Sequence, residues 1–165
     1  RAPLSIIEQV ERVNHERKIA MTARIEQALG GGARGKTIAI LGVTFKPNTD
    51  DMREAPSRVL MEALWAAGAK VRAFDPEAME ETRRIYGVRE GLILCETKED
   101  ALKASDALVI LTEWQSFKVP DFDMIKRELR EAVLFDGRNL FDPVRVAKSG
   151  LDYKAIGRSA VGAGI

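Results

Sequence analysis

The chain has 165 residues, which is enough for one domain with a substantial core and too few for two comfortable domains. Its 45% hydrophobic and 31% charged residues are typical of a globular protein and argue against disorder. The 26 Lys and Arg nearly cancel the 25 Asp and Glu, and a net charge of +1 lacks the basic excess of a general nucleic-acid binder. A compact anion pocket needs only two or three local cations, so this composition still allows one.

Several other classes of site and location are disfavoured by the residues present. Cys95 is the only cysteine and His15 the only histidine, so neither an internal disulfide nor a Cys-based or His-rich metal site can form. The first residues carry charges where a signal peptide needs an apolar core. No apolar run approaches the roughly 20 residues of a membrane-spanning helix. We therefore expect a cytoplasmic protein with no metal, no membrane contact and no nucleic-acid partner.

The first predicted element is a long helix over residues 4–29. Apolar positions recur there at spacings of three and four, the pattern of an amphipathic helix: Leu4, Ile7, Val10, Val13, Ala20, Met21, Ile25 and Ala28, with Arg17 on the same stripe. The glycines at 30–32 end the helix and form a flexible link. We interpret residues 1–32 as a connector whose stripe meets a partner, and residues 33–165 as a separate ligand-binding domain.

Strands and helices alternate after Lys36. Residues 37–43 form a near-continuous apolar run, as expected for a parallel strand covered on both faces. Further strands are predicted at 70–74, 92–95, 107–111, 133–135 and 153–156, and helices at 56–67, 76–86, 97–103 and 122–130. Six strands that alternate with helices predict an α/β fold, a doubly wound, Rossmann-like parallel sheet.

A ligand crevice is expected beyond the carboxyl ends of strands 1, 4 and 5. In the strand order 3-2-1-4-5-6, the connections diverge between strands 1 and 4, so the residues after these strands converge. They are Phe45, Lys46, Thr112, Glu113, Trp114, Asp136, Gly137 and Arg138. An arginine fork, a lysine charge and an aromatic ring suit a phosphorylated ligand with a planar base. Without further information, solvated loop cations are an equally good interpretation of Lys46 and Arg138.

A dense charge cluster precedes the helix at residue 56. Acidic residues favour the first turn of a helix and Asp is a good N-cap, which favours a capping role for Asp50, Asp51 and Glu54. Arg53 either belongs to the same local structure or reaches a second anion, such as the pyrophosphate of a cofactor. The residues alone leave these alternatives for Arg53 open.

The evidence for dinucleotide binding in the usual Rossmann manner is weak. No G-x-G-x-x-G follows the first strand, so the backbone cannot approach a pyrophosphate in the usual way. Asp75 ends the second strand, where an acid would hold a ribose. The Asp75-Pro76 pair is more simply an N-cap followed by a first-turn proline, and we favour that interpretation.

Four motifs resemble the C-terminal domain of the UDP-glucose/GDP-mannose dehydrogenase family. They are GVTFKPNTDDMREAPS at 42–57, FDP at 74–76, LTEW at 111–114 and FDGRN at 135–139. The first is long and specific, and the others follow in the right order and spacing. The resemblance covers roughly residues 36–160, and NHER at 14–17 is similar to the tail of the family's central helix.

The resemblance implies a function. The family oxidises the hydroxymethyl group of a nucleotide sugar to a carboxylate in two NAD-dependent steps, through a thioester on a cysteine. It implies that Phe45, Lys46 and Arg138 contact the nucleotide sugar, and that Arg53 reaches the NAD. It also implies a homodimer held partly by the central helix. The segment at 48–57 looks more like the UDP-glucose members than the GDP-mannose or UDP-N-acetylmannosamine members.

The resemblance also indicates what this chain lacks. The N-terminal Rossmann domain that mainly binds NAD and the glycine-rich segment with the nucleophilic cysteine are missing, and Cys95 does not replace that cysteine. We therefore expect no catalytic residue here, no dehydrogenase activity from the chain alone, and a UDP-sugar and the family's N-terminal domain as partners. The alternative is a free-standing nucleotide-binding or interaction module. The long amphipathic helix before three glycines favours a domain of a larger enzyme.

Overall fold

The fold is a six-stranded parallel sheet with helices on both faces. The structure is a computed structural model that describes residues 3–156, apart from the side chains of residues 3–5, 7, 14, 17 and 18. Its strands are β1 (Thr37–Leu41), β2 (Lys70–Phe74), β3 (Leu92–Leu94), β4 (Ala107–Ile110), β5 (Val133–Asp136) and β6 (Asp152–Ala155). The order β3-β2-β1-β4-β5-β6 confirms the predicted doubly wound arrangement.

The helices connect the strands and cover the sheet. They are α1 (Pro3–Ala28), α2 (Pro56–Ala66), α3 (Met79–Tyr86), α4 (Lys98–Leu102), α5 (Phe122–Glu128) and α6 (Pro143–Lys148), with a short 3₁₀ turn at Gln115–Phe117. The sequence analysis missed α6, because a helix of 6 residues is too short to show a clear period. Its start signals are present, however, because Asp142 caps it and Pro143 occupies its first turn. Among the described residues, no helix is both long and apolar enough to cross a bilayer.

Two apolar clusters occupy the two faces of the sheet. Because side chains alternate along a strand, Ile38 and Ile40 of β1 face one cluster, and Ala39 and Leu41 face the other. The first cluster includes side chains of α2 and the end of α1, and the second includes side chains of α4, α5 and α6. All four β1 residues from Ile38 to Leu41 are buried, which places this strand in the centre of the fold.

Among the side chains of α1 that the structure describes, only those of the last turns pack into the first cluster. Ile25 is fully buried and Leu29, just after the helix, is nearly so. Earlier on the predicted stripe, Val10 and Val13 are 54% and 37% exposed. The helix also contacts α2. Of the described side chains on the predicted stripe, this domain covers those near its end, and the connector role of residues 1–32 stays a prediction.

The turn after β1 brings the ends of β1 and β4 into close contact. Gly42 has a φ of +86°, and a Cβ atom there would lie 2.6 Å from the Thr112 Cβ atom. Thr112 in turn donates a hydrogen bond of 2.8 Å to the Thr44 carbonyl. Only glycine suits both the backbone conformation and the available space.

We expect Gly42→Ala to lower the free energy of unfolding by about 2–4 kcal/mol, because backbone strain and overpacking each cost about 1–3 kcal/mol. Urea denaturation measures this value. Gly32→Ala is the matched control, because its φ is not positive and its added Cβ atom would meet nothing within 4 Å. Equal stability of the two variants would show that the close contact between β1 and β4 tolerates a side chain.

Candidate functional site

A cavity of about 840 Å³ lies beyond the carboxyl ends of β1, β4 and β5. Phe45 and Arg138, which were predicted from two distant segments, both line it. Leu111 lines it after β4, Pro56 at the start of α2, and His15 on α1. Its volume is within the range of roughly 300–1,000 Å³ found for small-molecule sites. The structure therefore brings the ends of these strands together around one ligand-sized space.

The loop after β1 presents Phe45 and Lys46 to solvent. The Phe45 ring is 46% exposed, and the Lys46 ammonium lies 5.6 Å from its centroid. The Phe45 N–H donates to the Asp51 carbonyl at 3.0 Å, and Met52 anchors the loop in the core. The loop is therefore held at its base, whereas Phe45 and Lys46 stay accessible. Lys46 lies beside the cavity wall formed by Phe45 and does not itself line the cavity.

Arg138 is oriented by an ion pair with Glu113. Its Nε atom donates a short hydrogen bond to the Glu113 carboxylate, and the two side chains are 38% and 32% exposed. This hydrogen bond lowers the pKa of Glu113 and keeps it ionised at neutral pH. Within residues 3–156, the side-chain hydrogen bonds of Arg138 use Nε only. Its two terminal nitrogens are therefore available to a ligand.

A buried carboxylate, Asp75, joins the ends of three strands. It is 1% exposed and accepts hydrogen bonds through both oxygens. The donors are the Val43 N–H (2.9 Å), the Thr44 N–H and hydroxyl, the Trp114 indole N–H (3.1 Å), and the N–H groups of Glu77 (3.0 Å) and Ala78 (3.2 Å). Both oxygens are thus occupied, which favours the structural interpretation of Asp75 over a ribose contact.

The same carboxylate corrects the predicted start of α3. Since Asp75 binds the N–H groups of Glu77 and Ala78, residues 75–78 form a turn, and the helix begins at Met79 instead of at residue 76. The network also explains why Thr112 and Trp114 do not face the cavity as predicted. Thr112 is fully buried and Trp114 is 7% exposed.

Asp136 has a comparable role after β5. Its carboxylate accepts hydrogen bonds from the Arg138 and Leu140 N–H groups at 3.0 and 2.7 Å, and from the Tyr153 hydroxyl at 2.8 Å. It therefore shapes the loop that carries Arg138 and does not face the cavity. Gly137 allows this loop to approach β4, because a Cβ atom there would lie 2.8 Å from the Ile110 carbonyl oxygen.

Arg53 is held by an acid of its own loop. It donates to Asp51 from Nε at 3.0 Å and from Nη2 at 2.9 Å, yet its side chain is 87% exposed and does not line the cavity. The α2 N-cap is Ala55, which makes no side-chain capping hydrogen bond. The predicted capping role is therefore wrong for Asp51, which binds Arg53 instead.

The comparisons with known proteins agree with these features. The sequence profile described as "UDP-glucose/GDP-mannose dehydrogenase family, UDP binding domain" matches residues 39–143, more than half of the chain. The chain belongs to this family. The match includes the β1 loop, Asp75, Glu113 and Arg138, so the walls of the cavity after β1, β4 and β5 lie within the part that defines the family's UDP binding domain. His15 and Ile156, which also line the cavity, lie outside the matched part.

Individual relatives carry related names. A UDP-glucose 6-dehydrogenase of Rhizobium meliloti (strain 1021) is 44% identical over 156 residues, which is 94% of this chain and 35% of that protein. The structure of a UDP-glucose dehydrogenase from Pyrobaculum islandicum matches with a TM-score of 0.71 and 27% identity, over 93% of this chain and 32% of that one. The structure of an NDP-N-acetyl-D-galactosaminuronic acid dehydrogenase from Methanosarcina mazei Go1 also matches with a TM-score of 0.71 and 27% identity. That match covers 88% of this chain and 29% of the other chain. The chain spans about a third of the length of the curated relatives it matches.

The sequence analysis missed two structural features of this family member. It did not pair Glu113 with Arg138, although each residue lies in one of the four quoted motifs. It also did not identify Asp75 and Asp136 as the acceptors that organise the loops, although both end a buried strand. A carboxylate directly after an apolar strand is the signal that could have found them. The structure contains no cluster of potential metal ligands among its described residues.

We expect Asp75→Asn to lower the free energy of unfolding by about 2–4 kcal/mol, because the amide NH₂ would face donors and leave buried groups unpaired. Chemical denaturation monitored by tryptophan fluorescence measures the loss. Asp121→Asn is the control, since Asp121 is an exposed N-cap that accepts from the Met124 N–H and Asn caps equally well. A loss no larger than that of the control would contradict the proposed role of the buried carboxylate.

We also expect the Asp51 carboxyl to titrate with a pKa of about 2, below its ordinary value of 3.8, because Arg53 donates to it. A lowered pKa means that the pair stabilises the fold above pH 3.8 and that this contribution is lost as the pH falls through about 2. In Arg53→Gln the pKa should rise part of the way to 3.8, since the backbone N–H of residue 53 still donates. Carboxyl NMR titration measures both values, with Arg127→Gln as control. An unchanged Asp51 pKa in Arg53→Gln would show that the two side chains are not paired in solution.

Proposed function

We propose that this chain is the UDP-sugar-binding domain of an NAD-dependent UDP-glucose 6-dehydrogenase, which oxidises UDP-glucose to UDP-glucuronate in two steps. Membership of the family supports the proposal, as does a UDP-glucose 6-dehydrogenase relative at 44% identity over 94% of the chain. The observation that carries it is that Phe45 and Arg138 line one cavity at the divergence of β1 and β4.

In this proposal the nucleotide diphosphate is neutralised by side chains. The terminal nitrogens of Arg138 offer two parallel N–H groups, a geometry that matches two phosphate oxygens. The Lys46 ammonium supplies a second charge near the Phe45 ring, and that ring offers an apolar face for the base or the sugar. The start of α2 at Pro56 adds the positive end of a helix dipole to the cavity wall.

We propose that NAD, which accepts hydride in this chemistry, is bound mainly outside this domain. The turn after β1 has no room for a pyrophosphate, because Gly42 packs against Thr112. The acid at the end of β2 uses both oxygens within the protein. Arg53 is the described residue that we propose for a contact with NAD, since its guanidinium is exposed on the loop after β1. This contact requires it to leave Asp51 or to bind the cofactor through its remaining N–H groups.

The partners and the location follow from the same proposal. The N-terminal dehydrogenase domain of the family would supply the catalytic cysteine and most of the NAD site. A homodimer is supported by apolar side chains on α1 that this domain leaves exposed: Ile6 is 68% exposed, Val10 54% and Ile19 47%. UDP-glucose is preferred over a GDP-mannose or UDP-N-acetylmannosamine substrate because of the segment at 48–57 and the names of the relatives. A cytoplasmic location stays a prediction.

We expect Lys46→Ala to weaken UDP binding about 10-fold, through the loss of one charge-assisted hydrogen bond of about 1.4 kcal/mol, and Arg138→Ala to weaken it about 100-fold, because two such bonds are lost. Isothermal titration calorimetry on the full-length protein measures the dissociation constant. Uridine is the second probe, and because it has no phosphate its affinity should stay the same in both variants. Lys70→Ala is the control, since Lys70 is exposed at the amino end of β2, away from the cavity. Unaltered UDP affinity in both Arg138→Ala and Lys46→Ala would refute the proposed site.

A further inference from the structure

We propose that Glu113 is a positioning residue for nucleotide binding, which holds the Arg138 guanidinium so that its terminal nitrogens face the diphosphate. The inference rests on the proposed function and assigns a role to a residue that does not itself bind the ligand. It starts from the ion pair between Glu113 and Arg138 at the cavity.

The backbone of Glu113 is fixed by its two neighbours. Thr112 is fully buried and donates to the Thr44 carbonyl at 2.8 Å. Trp114 is 7% exposed and donates to Asp75 at 3.1 Å. Glu113 lies between them with a side chain that is 32% exposed. Its carboxylate therefore extends from a rigid segment to the Arg138 guanidinium.

The backbone of Arg138 is fixed as well. Its N–H donates to Asp136 at 3.0 Å, and the preceding Gly137 packs against the Ile110 carbonyl. Since both backbones are fixed, the side-chain hydrogen bond determines where the guanidinium lies. An unpaired arginine side chain would lose conformational entropy when it binds a ligand, whereas an arginine already held by Glu113 loses less.

The chemistry of the guanidinium assigns its two ends to different tasks. It is planar, with five N–H groups in a fixed fork. The Glu113 carboxylate accepts a hydrogen bond from Nε, and the terminal nitrogens have no described hydrogen bond within residues 3–156. Two parallel N–H groups at that end match two oxygens of a phosphate. Glu113 thus selects the orientation in which the bidentate end is free.

The Glu113 carboxylate has a second, opposing effect, because its charge repels a diphosphate. Glutamine separates the two effects, since its amide oxygen accepts the same hydrogen bond from Nε without the charge. Alanine removes both the hydrogen bond and the charge. The ratio of the UDP dissociation constants of Glu113→Ala and Glu113→Gln therefore measures the orientation effect alone.

The test is a double-mutant cycle in the full-length protein, with UDP affinity measured by titration calorimetry. We expect Glu113→Ala to bind UDP about 3- to 10-fold more weakly than Glu113→Gln, within the usual range for contacting pairs. In an Arg138→Ala background this ratio should fall to about 1. With UDP-glucose as substrate, Glu113→Ala should raise KM relative to Glu113→Gln and leave kcat unchanged. Glu113→Asp keeps the charge, but its shorter side chain cannot reach Nε as Glu does, so it should bind UDP more weakly than the wild type.

Glu128→Ala is the matched control, because Glu128 is 31% exposed and pairs with the Arg127 Nε atom outside the cavity. It should leave UDP affinity unchanged. Equal affinities of Glu113→Ala and Glu113→Gln would overturn the inference, and so would a ratio that persists without Arg138. If Arg138→Ala alone leaves UDP affinity unaltered, the proposed site itself fails, so the two failures are distinguishable.

Discussion

The site depends on one buried carboxylate. Asp75 is 1% exposed and binds donors that come from the ends of β1 and β4 and from the turn before α3. A buried carboxylate is costly unless hydrogen bonds replace its lost hydration, and here several N–H and O–H donors do so. Since the strand ends bind one acceptor, they cannot separate without unpairing it. The loops that leave these strands therefore start from fixed points.

This network determines the kind of ligand contact that the domain can make. In a dinucleotide fold with a glycine fingerprint, the backbone after the first strand approaches the ligand. Here the same space contains Gly42, Thr112 and Asp75. In the proposed function the ligand binds further out, where Phe45 and Arg138 line the cavity. Recognition then depends on side chains, and side-chain orientation becomes the important variable.

In the proposed function, structural and binding roles therefore lie on different residues. The ion pairs of Arg53 and Arg138 are partly or largely exposed, and exposed pairs contribute little to stability. The fold depends instead on Asp75 and Asp136, whose oxygens are occupied within the protein. Substitutions of the exposed arginines should therefore change ligand affinity more than stability.

The sheet could be predicted from the sequence because it depends on local patterns. Each of the central strands β1 and β4 contains a run of four apolar residues, and the alternation with helices leaves few possible topologies. The strand order alone predicts that the loops after β1, β4 and β5 converge. These features predict a crevice that Phe45 and Arg138 share, and in the structure both residues line one cavity.

The directions of individual side chains could not be predicted in the same way. Thr112 and Trp114 follow β4 as Glu113 does, but only Glu113 points to Arg138. Topology places a residue at the edge of the sheet without deciding which way its side chain turns. The α3 boundary failed for a related reason, because the side-chain hydrogen bonds of Asp75 compete with the first helical turn.

One residue in the wall of the cavity, Glu54, has a left-handed backbone conformation. Among the described non-glycine residues, five have a positive φ, and three of them lie in the loops after β1 and β5: Asn48, Glu54 and Asn139. Asparagine adopts this conformation readily, but for Glu54, at a φ of +57°, the conformation is uncommon. Glu54 lines the cavity and directly precedes the Ala55 cap of α2. Such conformations persist where the surrounding structure over-determines them, and they cluster at ligand sites. Met52 anchors this loop in the core, and Asp75 holds the base of the loop through the Val43 N–H. These contacts supply the constraint that keeps Glu54 in its uncommon conformation, in the wall of the cavity where a ligand would bind.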